Sequence, residues 1–192
     1  MARLRLMLLL AGALSVCGPI SAHAGMGIRS VGGKVGFDVV QSEDTRSLYG
    51  GQIDLGTLFG SNLHVEPSFE FGTGVDNQGM KKRVASYNLG LKYVIEEEKS
   101  RIFGYFAAEL GINAFNAAVF QGTVTDPNTQ IVSNIWLRQT DVRSSLNVIP
   151  IGLGRKLAHN RIQVFSEVKI VIGEGASDSS LRVSVGMEFL IR

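Results

Sequence analysis

The chain has 192 residues, 45% of them apolar, with 23 glycines, four prolines, one cysteine and a formal net charge of +2. That length suits one domain of ordinary size. After residue 24 no apolar run approaches the roughly 20 residues of a membrane-spanning helix, which excludes a helical membrane protein.

The first two dozen residues read as a cleaved signal peptide. Arg3 and Arg5 form a short positive region, Leu6 to Leu14 an apolar core, and Ala22-His23-Ala24 sets small residues where a signal peptidase reads. A lipoprotein signal at Leu14-Ser15-Val16-Cys17 fits less well, because Val16 stands where a small residue is wanted. Removing 24 residues from 192 leaves 168 and takes away Cys17, so the mature chain has no thiol, disulfide or Cys-ligated metal. Of 19 Lys and Arg, Arg3 and Arg5 are also lost, leaving 17 against 17 Asp and Glu. The formal balance is then zero, and no nucleic-acid partner is expected.

From Lys34 onward apolar residues recur with period two, the strand signal. The first segment, 34–40, places Val35, Phe37 and Val39 on one face. The second, 48–59, sets Tyr49, Ile53, Leu55 and Phe59 against Gln52 and Asp54. The third, 63–72, alternates Leu63, Val65, Phe69 and Phe71 with His64, Glu66, Ser68 and Glu70. The fourth, 84–95, opposes Tyr87, Leu89, Leu91 and Tyr93 to Asn88, Gly90 and Lys92. The fifth, 102–115, opposes Phe106, Ala108, Leu110 and Ile112 to Glu109, Gly111 and Asn113.

The sixth segment, 145–156, changes frame between Val148 and Ile149, which predicts a bulge near Pro150. Pro67 predicts another in the third strand. The seventh, 161–173, sets Ile162, Val164, Val168 and Ile170 against Gln163, Glu167 and Lys169. The eighth, 181–192, sets Val183, Val185, Met187, Phe189 and Ile191 against Arg182, Ser184, Gly186 and Glu188. Gly60-Ser61-Asn62, 96–101 and 156–160 form short turns on one side. Polar loops at 41–47, 75–83, 116–141 and 174–180 lie on the other.

Eight strands of about ten residues match what a tilted strand needs to cross a bilayer. The expected fold is therefore an all-β, eight-stranded antiparallel up-and-down transmembrane barrel over 25–192. Three features favour an inside-out barrel over a soluble one. The apolar faces carry no charge, and a Lys or Arg at mid-bilayer would cost roughly 2–4 kcal/mol. The opposite faces mix Gly, Ser, Asn and Gln with sparse charges of both signs, which suits a narrow lumen. Tyr49, Phe59, Phe71, Tyr87, Tyr93, Phe103 and Phe189 fall near strand ends, as interfacial girdles do.

The last strand carries a resemblance. Ser184-Val185-Gly186-Met187-Glu188-Phe189-Leu190-Ile191, with Gly186, Phe189 and Ile191 at the marked positions, is similar to the carboxy-terminal signal of outer-membrane barrels that the barrel-assembly machinery recognises. Arg192 departs from it, since many members end on an aromatic. The mature chain resembles the small outer-membrane barrels of the OmpA/OmpX-like superfamily. The resemblance implies a bacterial outer-membrane address, outer-membrane lipid as surround and the assembly machinery as partner, but no activity.

Candidate sites follow from the inward faces. Asp38, Asp54, Glu66, Glu70, Glu109, Glu167 and Glu188 face Lys34, Lys92, Lys169 and Arg182. This reads either as a network of paired charges plugging the lumen or as a narrow cation-preferring path. His64, Glu66 and Ser68 supply the side-chain types of a hydrolytic triad, as in small barrel lipid A deacylases. However, neighbours on one strand face repeat at roughly 6–7 Å, so Glu66 separates His64 from Ser68. His159 and Asn160 read as turn residues. The 116–141 loop, with Phe120, Ile131 and Trp136, reads either as a hairpin extending beyond the membrane or as a contact site for an extracellular ligand. Neither a cofactor nor an enzymatic activity is expected; a structural or surface-interaction role is.

Overall fold

The computed structural model describes residues 25–40, 45–59, 62–75, 81–97, 100–126, 129, 131–158, 161–174 and 179–191. Eight strands follow in chain order: β1 Gly25–Val40, β2 Arg46–Thr57, β3 Leu63–Val75, β4 Lys81–Glu96, β5 Ile102–Thr125, β6 Val132–Leu157, β7 Ile162–Gly173 and β8 Ser180–Leu190. Each pairs antiparallel with its sequence neighbour, and β8 pairs with β1 from Ser30↔Leu190 to Val40↔Ser180, closing the barrel. Closure leaves no free sheet edge within the wall, which is what lets strands sit in lipid.

The pleat sends alternate side chains to opposite sides, and here the polar set goes inward. Lys169 is 1% exposed and Glu188 1%, whereas Leu110 on the outer wall is 71% exposed and Phe37 60%. A surface so apolar around an interior so charged is the inverse of a water-soluble barrel, and it requires a lipid surround.

Glycines make room for the inward side chains. Tyr105 pairs with Gly152 and Phe103 with Gly154, and Phe165 pairs with Gly186. A Cβ at each of these three glycines would stand 2.1 to 2.2 Å from the ring opposite. Phe103, Tyr105 and Phe165 thus lie across the backbone of the next strand and close the short-turn end of the lumen with Ala107 and Ile149. This corrects the girdle assignment of Phe103, which is 5% exposed and faces inward.

The bulge expected at Pro150 is present. Val148↔Ile170 is followed by Ile151↔Val168, and the β5 ladder shifts at the same place, so β6 carries one extra residue. A missing N–H at Pro150 is tolerated there because neither ladder uses it. Ile149 consequently turns inward rather than sharing the face of Ile151 and Leu153. At Pro67 the extra residue is not on β3. Gln52↔Ser68 gives way to Thr57↔His64, which puts it on β2, where Gly56 adopts φ +95°. The Gly56 amide donates to Asp54 Oδ1 at 2.7 Å, fixing the bulge from within.

Two sequence boundaries change. β1 starts at Gly25 rather than Lys34, so Gly32-Gly33 lies mid-strand, as does Gly50-Gly51 in β2. The 116–141 segment is not a loop: β5 and β6 stay paired to Thr125↔Val132. His159, Asn160 and Arg192 lie outside the described residues, as does the 1–24 segment.

Candidate functional sites in the lumen and at the rim

The inward positions of β1, β3, β7 and β8 converge on Glu70. Its carboxylate accepts from Lys169 Nζ at 2.6 Å and from Arg182 Nη1, and pairs with Lys34 Nζ at 2.8 Å. Lys34 also donates to Glu167 Oε1 at 2.9 Å, and Lys169 reaches Glu109 Oε2 at 2.8 Å. Glu167 additionally accepts from the Tyr105 hydroxyl at 2.8 Å and from Ser184 Oγ at 2.9 Å. Buried charges are tolerable only in such paired, hydrogen-bonded sets.

A second cluster lies toward the short turns. Lys92 donates to Glu66 and sits 3.6 Å from Glu188. Glu188 accepts from Ser30 Oγ at 2.9 Å, and from Gln52 and Gln163. The Lys92 ammonium also lies 5.3 Å from the Tyr105 ring centre, a cation–π distance. Between the clusters, Asn147 donates to Asn88 Oδ1 at 2.9 Å and to Glu109 Oε2 at 3.2 Å. Asp38, toward the hairpin end, lies 3.4 Å from Arg182 Nε and 3.9 Å from Arg46 Nη1, held by charge without a hydrogen bond.

The structure therefore places Asp38, Asp54, Glu66, Glu70, Lys92, Glu109, Glu167, Lys169, Arg182 and Glu188 on the inner wall, all buried. Sequence reasoning missed Arg46, read as part of a loop, and the aromatic closure of Phe103, Tyr105 and Phe165.

The triad types are not brought together. His64 Nδ1 lies 2.8 Å from Asp54, Glu66 is bound by Lys92, and Ser68 Oγ accepts from Asn88 at 3.3 Å. Each has a structural partner on the lumen face.

At the opposite end the β5–β6 hairpin rises above the other strands. β5 last pairs with β4 at Asn116↔Arg83, and β6 last pairs with β7 at Ser145↔Gly173. Residues 117–125 and 132–140 then pair only with each other, a reach of about 30 Å at strand rise. Phe120, opposite Trp136 in the ladder, is exposed, as are Val124, Ile131, Ile135 and Leu137. At its base Arg83 and Arg138, both exposed, flank β5 on opposite sides, with Lys81 exposed nearby.

No protein-family model matches the chain, and no curated protein matches it in sequence. Solved structures do match in fold. The N-terminal β-barrel domain of Pseudomonas aeruginosa OprF aligns over 86% of this chain and 99% of its own at 18% identity, with a TM-score of 0.50. Neisserial surface protein A aligns over 84% and 95% at 10% identity, TM-score 0.58. Ail of Yersinia pestis, in complex with the heparin analogue sucrose octasulfate, aligns over 85% and 96% at 10% identity, TM-score 0.52. The fold of this chain is that of the small outer-membrane β-barrels.

Proposed function

We propose that the chain is a bacterial outer-membrane barrel that acts by surface contact through its β5–β6 hairpin, with a lumen that is structural rather than conducting or catalytic. The carrying observation is the hairpin itself, which continues past the last pairs to β4 and β7 and displays apolar side chains on a two-stranded support. Phe120 and Ile131 are its exposed anchors, and Trp136 is paired beside Phe120. In this reading residues 1–24 direct export, the short turns face the periplasm and the hairpin faces outward. Gly186, Phe189 and Ile191 serve recognition by the barrel-assembly machinery; Phe189 and Ile191 are exposed for it, while Gly186 also admits the Phe165 ring.

The basic base of the hairpin supports a polyanionic glycan as the ligand chemistry. Arg83, Arg138 and Lys81 are exposed there, and Ail, of the same fold, has been seen with a sulfated sugar. The test compares cells displaying the full chain with cells displaying a 120–134 deletion or Arg83→Ala with Arg138→Ala, for adhesion to heparin-coated and matrix-protein-coated surfaces. Loss of adhesion with retained heat-modifiable gel migration is expected. Equal adhesion by the full chain and the deletion would remove the hairpin from the function, and charge-insensitive adhesion would remove the glycan.

A further inference from the structure

The outer wall is not uniformly convex. A groove of roughly 1140 Å³ crosses the wall from β5 and β6 over β7, β8 and β1 to β2 and β3, from Ile102 and Arg155 at the short-turn end, past Met187 and Gly33, to Tyr49 and Phe71. Ladder pairs Arg155↔Val164, Val164↔Met187, Met187↔Gly33 and Gly33↔Gly51 put these residues in one row across the strands. Arg155 is two residues from the end of its strand while Gly33 is mid-strand. Because barrel strands tilt, that row slopes from the membrane interface toward the bilayer centre.

Gly33 makes the groove. Most glycines of the wall are required by a neighbour, as Gly152 is by Tyr105. Gly33 is not: a Cβ there would come no closer than 3.6 Å, to the Gly50 carbonyl oxygen. An interior strand glycine weakens a strand unless something approaches it closely, and among the described residues nothing does so on this side.

The charge at the lower end supplies the second observation. Arg155 lines the groove, and Arg29, Arg101 and Arg161 are exposed along the same border. The described acids on that rim, Glu96 and Glu97, lie at the end of β4, and Glu96 is bound by Lys156. A guanidinium at the interface beside an apolar channel matches phosphate above an acyl chain.

Given the membrane placement proposed above, we propose that this groove is a resident phospholipid site. One acyl chain lies over Gly33 between Met187 and Tyr49, and the phosphate is bound by Arg155. The occupant is an anionic phospholipid of the periplasmic leaflet.

The test is native mass spectrometry of the folded protein extracted from membranes and then offered phosphatidylglycerol or neutral diacylglycerol in mixed micelles. The intact protein is expected to keep one phosphatidylglycerol and little diacylglycerol. Gly33→Leu, whose Cβ would come no closer than 3.6 Å to the Gly50 carbonyl oxygen, and Arg155→Gln should each cut retained lipid about tenfold or more, the scale of one charge-assisted contact. Ala114→Leu, elsewhere on the outer wall, should change nothing. Equal retention by intact protein and both variants overturns the site, and equal retention of diacylglycerol overturns the role of Arg155. Heat-modifiable migration is read for every variant, and Arg155→Gln decides alone if Gly33→Leu does not fold. A chain that stays soluble without detergent would instead overturn the membrane placement.

Discussion

The Tyr105 ring lies across Gly152, which would hold a Cβ 2.1 Å from the ring, and its hydroxyl donates to Glu167 at 2.8 Å. One side chain therefore packs an aromatic plug and anchors an ion network. Gly152→Ala should lift the ring and destabilise the barrel by about 1–3 kcal/mol, as overpacking does. Tyr105→Phe keeps the packing and removes one donor, and should cost about 1 kcal/mol. Urea midpoints in detergent, followed by heat-modifiable migration, check the order of the two.

Glu70 is the most heavily loaded acid of the lumen, facing Lys34, Lys169 and Arg182. Glu70→Gln leaves three cations around a neutral amide, and breaking such a set should cost about 3–5 kcal/mol. The same urea measurement applies. A loss below about 1 kcal/mol would mean that water already shares the site.

The inside-out arrangement predicts opposite outcomes for one substitution in two environments. Val35→Lys places an ammonium on the outer wall and should destabilise the barrel in lipid by roughly 2–4 kcal/mol. On a water-facing wall it would be almost neutral. Refolding yield into vesicles, compared with the intact sequence, distinguishes these.

The lumen should not conduct. Phe103, Tyr105 and Phe165 pack in the short-turn half, beside Lys92, and paired charges line both halves. Planar-bilayer recordings are expected to show no discrete openings. Steady unitary currents from the unmodified protein would overturn the structural role of the lumen.

Shortening the hairpin should leave the barrel intact. Residues 120–134 make no ladder pair with β4 or β7, so their deletion should shift stability by about 0.5 kcal/mol or less, as for other surface changes. A large drop in urea midpoint would show that the arm supports the wall.

The strands were legible because an inside-out barrel writes one apolar and one polar residue alternately. The same rule failed where both faces are apolar. In IFGYF, 102–106, Ile102 and Phe106 go outward while Phe103 and Tyr105 go inward, and period alone could not separate them. The available signal was on the next strand, where Gly152 and Gly154 leave alternate positions empty for a neighbour to fill. The amino-terminal half of β1 escaped because glycines and Arg29 interrupt its alternation. Charges on each strand could be listed, but which cation meets which acid depends on closure and register. Lys169 reaches Glu70 across 99 positions of sequence.

That last contact bears on assembly. Glu70 belongs to the third strand, while its partners come from the first, seventh and eighth. A growing sheet can offer it only Lys34, in the same ladder row across Gly50; Lys169 and Arg182 arrive when the final strands meet the initial one. Until then the half-built wall carries ions that must be kept wet. Joining β8 to β1 adds Arg182 and Lys169 to Glu70 and Lys34 to Glu167, so the seam behaves as a latch: the contacts that span it are gained only when the sheet closes.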